Sequence, residues 1–329
     1  MKIGILGCGN WGSVFGIIQL EKGHQVKIWE FNKERALQVQ KTRDNRPFLV
    51  GCKMPSTIVI DWAIENVIGD VDVVVFAIPS HTLSAVVENL AQKKINHRFY
   101  LSLVKGIDVR TLRRPSEIIS QIPGARNKIY VLSGPCIANE IMRREPTAAV
   151  LVGTDQAGVR ELQQELTNGT LRIYQGDDMI GVELAAALKN VIALACGISD
   201  GLGFGNNAKG ALITRGIVEI QRLGVAMGAQ AKTFWGLSGL GDLVTTSFSH
   251  ESRNHQLGVK IGKGEDTQAA LAQMVMVAEG VPTAKSVKTL AKKHHIDMPI
   301  CELVYEIIFE GKSPKQGIKD LMARPLKHE

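Results

Sequence analysis

The run Gly7-Cys8-Gly9-Asn10-Trp11-Gly12 has the spacing G-x-G-x-x-G, which lets backbone N–H groups at a helix N-terminus receive a pyrophosphate. In that arrangement the first glycine permits a tight turn and the second lets the backbone approach the phosphates. The third lets the helix pack closely on a strand. A glycine-rich turn of no special purpose has the same letters, but an apolar β-rich run precedes this one and a helical pattern follows it, the context that favours a nucleotide. Glu30 stands 18 residues after Gly12 (30 minus 12), near the spacing of about 20 expected for a carboxylate that accepts from the adenosine ribose hydroxyls. That leans toward NAD, although Lys33 and Arg35 in the same turn supply positive charge suited to the 2′-phosphate of NADP. The alternative for Glu30 is a solvent-facing strand end.

A different chemistry is suggested by one charge in an apolar helix. From Ala185 to Ala195 every residue is apolar except Lys189 and Asn190, so the helix belongs in a core or at a domain junction. A buried ammonium costs several kcal/mol unless it is paired or neutralised. Lys189 is therefore either a general acid/base whose pKa desolvation lowers toward the working pH, or a lysine that snorkels to solvent. Lys105-Gly106 and Ser133-Gly134-Pro135 each follow an apolar strand-like run, where the carboxyl ends of strands open onto a ligand crevice. Each is a candidate substrate contact or a plain turn. Asp242 lies among the glycines of Leu237 to Leu243, and Ser252-Arg253-Asn254 sets a guanidinium between two polar neighbours, as suits a phosphate or carboxylate. A solvated surface turn is the other reading of both.

These residues need elements to hold them. Short apolar runs at Lys2–Leu6, Gln25–Trp29, Asp72–Ile78, Phe99–Leu103, Lys128–Leu132, Ala148–Val152 and Leu171–Tyr174 read as strands of a parallel sheet covered by helices. Ser80 is a plausible N-cap for a helix from His81 to about Gln92. From about Gly181 the pattern turns to long helices, beginning with Val182–Cys196 and Lys209–Met227. The expected architecture is an α/β dinucleotide-binding domain over residues 1–180, with a doubly wound sheet, and an all-helical substrate-binding and catalytic domain over residues 181–329.

Bulk properties agree with a small anionic ligand. The 329 residues suffice for two domains, and a net charge of +7 is spread along the chain without a long basic run. Arg113-Arg114 and Lys292-Lys293-His294-His295 have no interleaved aromatics, so no nucleic-acid surface is expected. Five cysteines without a C-x-x-C pair suggest neither a disulfide framework nor a metal site, and a reducing cytoplasm fits. Ile3 to Leu20 carries no charge and superficially resembles a membrane span, but five glycines and Asn10, Ser13 and Gln19 interrupt it, so it reads as strand, turn and helix.

Taken together, these motifs resemble the NAD(P)-dependent glycerol-3-phosphate dehydrogenase family, nearly end to end. The resemblance rests on Gly9-Asn10-Trp11-Gly12, Lys105-Gly106, Ser133-Gly134-Pro135, Leu188-Lys189-Asn190-Val191, the stretch Asp200 to Lys209, Ala211 to Gly216, Gly239-Leu240-Gly241-Asp242, Ser252-Arg253-Asn254 and Glu279-Gly280. It implies a Rossmann domain followed by a helical domain, NAD or NADP as cofactor, and reduction of dihydroxyacetone phosphate to sn-glycerol 3-phosphate for glycerophospholipid synthesis. It also implies a homodimer. By the same resemblance Lys189 donates the proton, while Asp242 and Lys105 orient it and balance its charge. Ser252, Arg253 and Asn254, with Gly134 and Cys136, lie on the substrate side. Gly7, Gly9, Asn10, Trp11, Gly12, Glu30, Lys105, Ala138, Arg253, Val277 and Glu279 fall on the cofactor side. Cys136 stands where the family usually has Ser or Thr, and Ile137 where Phe is common, which replaces a hydroxyl by a weak thiol donor.

Two rivals have specific signatures. β-Hydroxyacid dehydrogenases share the two-domain plan but carry Lys-x-x-Asn, whereas position 193 here is Ala. A non-catalytic NAD-sensing regulatory protein would be expected to have lost Lys105, Lys189 or Asp242, and all three are present.

Overall fold

Short β-rich runs form one eight-stranded sheet: β1 (Lys2–Leu6), β2 (Gln25–Trp29), β3 (Val59–Asp61), β4 (Val73–Phe76), β5 (Phe99–Ser102), β6 (Ile129–Ser133), β7 (Thr147–Gly153) and β8 (Leu171–Gln175). The computed structural model describes residues 1–93, 95–274, 276–326 and 328. The strand order is β3-β2-β1-β4-β5-β6-β7-β8, and every pairing is parallel except β6 with β7. The chain leaves β1 for β2 on one side and reaches β4 on the other, so the sheet has its switch point at the carboxyl ends of β1 and β4, where ligands of such sheets bind.

Both faces of this sheet are covered, and the period of two shows how. On β4, Val73 and Val75 join one apolar cluster with Ile3, Ile5 and Leu101, while Val74 and Phe76 join another with Leu6 and Tyr100. The covering helices are α1 (Asn10–Glu21), α2 (Lys33–Thr42), α3 (Ile64–Ile68), α4 (Leu83–Ala91), α5 (Pro115–Ile119), α6 (Ala138–Met142) and α7 (Gln156–Leu166). These elements lie in one structural unit, Met1–Lys105 with Arg113–Met179; Gly106–Leu112 and Ile180–Glu329 form a second.

The second unit is helical: α8 (Met179–Gly201, beginning at the boundary), α9 (Asn206–Ala226), α10 (Asp242–Phe248), α11 (Arg253–Gly262), α12 (Thr267–Ala272), α13 (Gly280–His294), α14 (Pro299–Phe309) and α15 (Pro314–Met322). Its centre is α8, buried without interruption from Gly181 to Ser199. By length and composition α8 could cross a membrane, but 89% of its apolar window is buried inside the protein, as in a core helix. Glycines bring α8 and α11 into backbone contact: a Cβ on Gly197 would stand 2.2 Å from His255 O, and one on Gly258 2.3 Å from Leu194 O. Any side chain at either position would push the two helices apart.

β1 and β2 have the bounds that their apolar runs predict, and β4 to β8 differ from theirs by a residue or two at an end. Three features differ from expectation. β3 is additional, a three-residue strand whose Val59 is exposed, too short for its alternation to register. The sheet is mixed, since β7 runs against β6. The helix starts later than expected: Ser80–Thr82 is a 3₁₀ turn, in which Thr82 Oγ1 donates to Pro79 O at 2.8 Å, and α4 starts at Leu83.

One buried acid ties α9 to α14. The Glu219 carboxylate is 2% exposed and accepts from Ile300 N at 2.9 and 3.1 Å and from Cys301 N at 3.2 Å, capping the N-terminus of α14 from another helix. Burial pushes its pKa up from 4.5 to about 7, against the backbone bonds that favour the carboxylate. A raised folded-state pKa gives stability that is present below pH 4.5 and is lost as pH rises through about 7. Glu219→Gln should therefore lack part of the wild-type decline in unfolding free energy between about pH 5 and about pH 8, a difference on the order of 2 kcal/mol in urea titrations. Parallel pH profiles for the two proteins would refute this.

Candidate functional site

The turn between β1 and α1 is built for close approach. Gly7 has φ +122°, and a Cβ there would meet Ala77 O at 2.5 Å, at the end of β4. A Cβ on Gly12 would lie 2.1 Å from Gly7 O, so the helix could not sit so near the strand with any other residue. A Cβ on Gly9, by contrast, would meet nothing within 4 Å: it borders open space. Gly9 precedes α1 without a side-chain cap, and no acidic residue lies in the first turn, so the first N–H groups of the helix lack an intrahelical or carboxylate partner. Asn10 Oδ1 is buried and has no hydrogen-bond partner. Trp11 packs edge-on against Phe15 at 5.9 Å. A space that only a missing Cβ leaves open, faced by helix N–H donors, fits a pyrophosphate; Gly7, Gly9, Asn10 and Gly12 are the residues that would hold it.

Glu30, just after β2, is neither solvent-facing nor unengaged. It is 4% exposed, its Oε2 pairs with the Arg35 guanidinium, and its Oε1 accepts from Asn32 N at 3.1 Å. Arg35 also donates to Asn45 Oδ1 and, at 3.3 Å, to Cys8 O. Asn45 in turn donates to Cys8 O at 3.1 Å and to Ser13 Oγ at 2.8 Å. Two of these residues, Arg35 and Asn45, thus grip the phosphate loop, and Asn45 carries no motif that would reveal it. Lys33 turns elsewhere, its ammonium 4.7 Å from the centre of the Trp62 ring.

After β5 and β6, Lys105 Nζ donates to Gly134 O at 2.9 Å, which joins two of the predicted substrate residues within the first unit. Cys136 is half-buried, and Ala138 opens α6. Ser133 Oγ, at the end of β6, is buried without a hydrogen-bond partner.

In the second unit Lys189 does not snorkel. Its side chain is 5% exposed and that of Asp242 is 3% exposed, with Nζ 2.9 Å from Asp242 Oδ1. Thr246 Oγ1 lies 2.5 Å from the same Nζ and donates to Asp242 Oδ1 at 3.2 Å, closing a triangle. The pair satisfies what a buried ammonium requires. A π-helical turn over Leu237–Gly241 delivers Asp242 to the start of α10, and a Cβ on Gly239 within it would be 2.0 Å from Phe234 O. Thr246, one turn after Asp242 on α10, was not among the sequence candidates; the i, i+4 spacing from Asp242 is the signal that points to it.

Asn190, next to Lys189, accepts from Asn254 Nδ2 at 2.9 Å, and Asn254 Oδ1 accepts from Gly280 N at 2.8 Å. Asn254 therefore joins α8, α11 and α13 at one point, and it is buried, while Arg253 beside it is exposed. Ser252 is the N-cap of α11, accepting from His255 N at 3.2 Å. Glu279 precedes α13 and attracts Arg253 electrostatically; Val277 is half-buried nearby in sequence. The base of α11 is held by His255 Nε2, 2.7 Å from Asp200 Oδ2, and Lys209 reaches the same oxygen at 2.6 Å. Desolvation acts to raise the Asp200 pKa, but hydrogen bonds from Lys209 and His255 outweigh it and hold the carboxyl below its ordinary value.

The different surroundings of two loop glycines separate structural from binding roles. Gly12→Ala should lower the melting temperature, because the added methyl collides with Gly7 O, whereas Gly9→Ala should leave it within about 2 °C of wild type. Both should weaken NADH binding by about tenfold or more, read by quenching of tryptophan fluorescence. Unchanged NADH affinity in Gly9→Ala would remove the loop from the cofactor site.

Comparison with known proteins finds relatives that match over the whole chain. The family described as NAD-dependent glycerol-3-phosphate dehydrogenase N-terminus matches residues 2–159, and that described as NAD-dependent glycerol-3-phosphate dehydrogenase C-terminus matches residues 178–319. The chain is 42% identical over 329 residues to glycerol-3-phosphate dehydrogenase [NAD(P)+] of Thermoanaerobacter sp., covering 100% of this chain and 99% of that protein. It is 39% identical over 331 residues to the enzyme of the same name from Chlorobium limicola, covering 100% and 99%. The crystal structure of glycerol-3-phosphate dehydrogenase from Coxiella burnetii superposes with a TM-score of 0.93 at 32% identity, covering 98% of this chain and 99% of that one. A Rossmann-type, mostly parallel sheet followed by a helical C-terminal part, with matches of this extent, leaves one conclusion: the chain belongs to the NAD(P)-dependent glycerol-3-phosphate dehydrogenase family.

Proposed function

We propose that this protein reduces dihydroxyacetone phosphate to sn-glycerol 3-phosphate at the expense of NADH or NADPH, as a cytoplasmic homodimer that supplies glycerophospholipid synthesis. The observation that carries the reading is the buried Lys189–Asp242–Thr246 cluster, held next to the Asn190–Asn254 contact and Arg253 in the same unit. The dihydronicotinamide, when bound, supplies the hydride that the carbonyl carbon accepts. Lys189 gives a proton to the carbonyl oxygen as negative charge gathers there, so carbon and oxygen each gain one hydrogen. Asp242 keeps the ammonium oriented, and Thr246, beside it, helps to fix its rotamer. Arg253 anchors the substrate phosphate, which gives binding energy remote from the reacting carbon for alignment. Lys105, tied to Gly134 O, places a second positive charge at the ends of β5 and β6.

No observation favours the rival readings. Ala193 is a buried residue of α8 in the place where a β-hydroxyacid dehydrogenase carries Asn, and Lys105, Lys189 and Asp242 are all retained, against a non-catalytic sensor.

Initial rates of NADH and NADPH oxidation with dihydroxyacetone phosphate, and with dihydroxyacetone as the unphosphorylated control, test the assignment. Oxidation is expected only with the phosphorylated ketone. Lys189→Met should lower kcat by about a hundredfold to ten-thousandfold while NADH affinity is retained. Because that change takes one counter-ion from the buried Asp242, Lys189→Met/Asp242→Asn serves as the better-folded control. Arg253→Ala should raise KM for the phosphorylated ketone by about tenfold or more, the effect of losing a charge-assisted hydrogen bond. Folded protein that binds NADH yet shows no oxidation with the phosphorylated ketone would refute the assignment.

A further inference from the structure

Beside the phosphate loop, both terminal amino groups of the Arg35 guanidinium are held by this chain's own groups. One amino group pairs with Glu30 Oε2; the other donates to Asn45 Oδ1 and, at 3.3 Å, to Cys8 O. The Phe48 ring packs against the guanidinium at 4.5 Å. The partners are themselves fixed: Glu30 is 4% exposed and takes Asn32 N at 3.1 Å, and Asn45 is fully buried between Cys8 O and Ser13 Oγ. Lys33, the other base of the turn, lies over Trp62.

This arrangement has a consequence for the adenosine ribose, which lies near the end of β2 in sheets of this topology. A ribose 2′-hydroxyl can donate to the Glu30 carboxylate without disturbing the Arg35 pair. A 2′-phosphate brings a second anion against a buried carboxylate whose counter-ion is already engaged, and winning Arg35 for itself would leave Glu30 buried and unpaired. It would also strip a hydrogen bond from Cys8 O in the phosphate loop. Of the two positive charges that from sequence alone suit a 2′-phosphate, that of Arg35 is thus neutralised from within.

We propose that Arg35 is a specificity-determining residue: pinned by Glu30 and Asn45, it closes the 2′ position to phosphate and makes NADH the preferred cofactor, and it becomes a 2′-phosphate clamp once the Glu30 charge is removed. The proposal rests on the reading of the Gly7–Gly12 turn as a dinucleotide site. It is independent of which ketone is reduced.

Binding titrations of NADH and NADPH by tryptophan fluorescence, on the full chain without substrate, test it. Wild type should bind NADH about tenfold or more tightly than NADPH, the effect of a single charge-assisted hydrogen bond. In Glu30→Gln the ratio should move about tenfold or more toward NADPH, and Glu30→Gln/Arg35→Gln should lose that shift. Far-UV circular dichroism checks folding, with Glu30→Ser as a second neutral variant. Equal affinities or an NADPH preference in wild type would overturn the proposal, as would a ratio unchanged by a folded neutral variant at position 30. If neither dinucleotide binds, the dinucleotide reading itself fails, an outcome distinct from binding without preference.

Discussion

Lys189 Nζ lies 2.9 Å from Asp242 Oδ1 in an interior where an unpaired ammonium would cost several kcal/mol, and much of the second unit serves to hold that contact. The lysine comes from the middle of α8, the helix buried from Gly181 to Ser199, and the aspartate must arrive on a different segment. A π-helical turn threaded past Phe234 brings it there, at the first residue of α10, so the next turn of the same helix can add Thr246. Once α8 is fixed, its neighbours are placed by glycine: α11 comes into backbone contact through Gly197 and Gly258, and Gly280 at the start of α13 lies where a Cβ would be 2.6 Å from Asn190 O. The same close approach puts Asn254 within reach of Asn190, and with it Arg253, the proposed phosphate anchor.

The first unit follows a parallel logic with the opposite charge requirement. Its switch point presents a helix N-terminus and open space above Gly9, which asks for an anion to be supplied from outside. Around that opening the chain leaves little slack. Gly7 and Gly12 are held against Ala77 and each other, and Cys8 O receives both Arg35 and Asn45. The Glu30–Arg35 pair sits at the rim of this arrangement, so the loop that would hold the phosphates and the residues nearest the ribose form one hydrogen-bonded structure.

Much of this plan was legible because it is local. β1 and β2 follow from apolar runs of strand length, and the turn between β1 and α1 from glycines at fixed offsets. α8 could be recognised as a core helix, and Lys189 as its anomaly, because burial on all sides leaves no polar face in the sequence. Where the reading fell short, a non-local effect intervened. β3 is three residues of edge strand, given its place by pairing with β2, and β7 is turned against β6 by pairing geometry that leaves no mark on its composition. The stretch Gly106–Leu112 lies between two elements of the first unit in sequence yet packs with the second, where Ile107 enters the apolar core and its carbonyl accepts from Ser286 Oγ at 3.3 Å.

By itself the sequence determined the family, seven of the eight strands in order, the glycine loop and the candidates for reactive side chains, since each depends on residue types at short, fixed separations. Tertiary structure alone decided what those side chains meet. Lys189 and Thr246 are 57 residues apart, Glu219 and Ile300 81 apart, and Asn190 and Asn254 64 apart, so no local pattern encodes their contacts. Even Glu30 and Arg35, five residues apart, needed the fold: only burial against Asn45 and Cys8 turns two nearby charges into a fixed pair, because in water such ions would be screened and mobile.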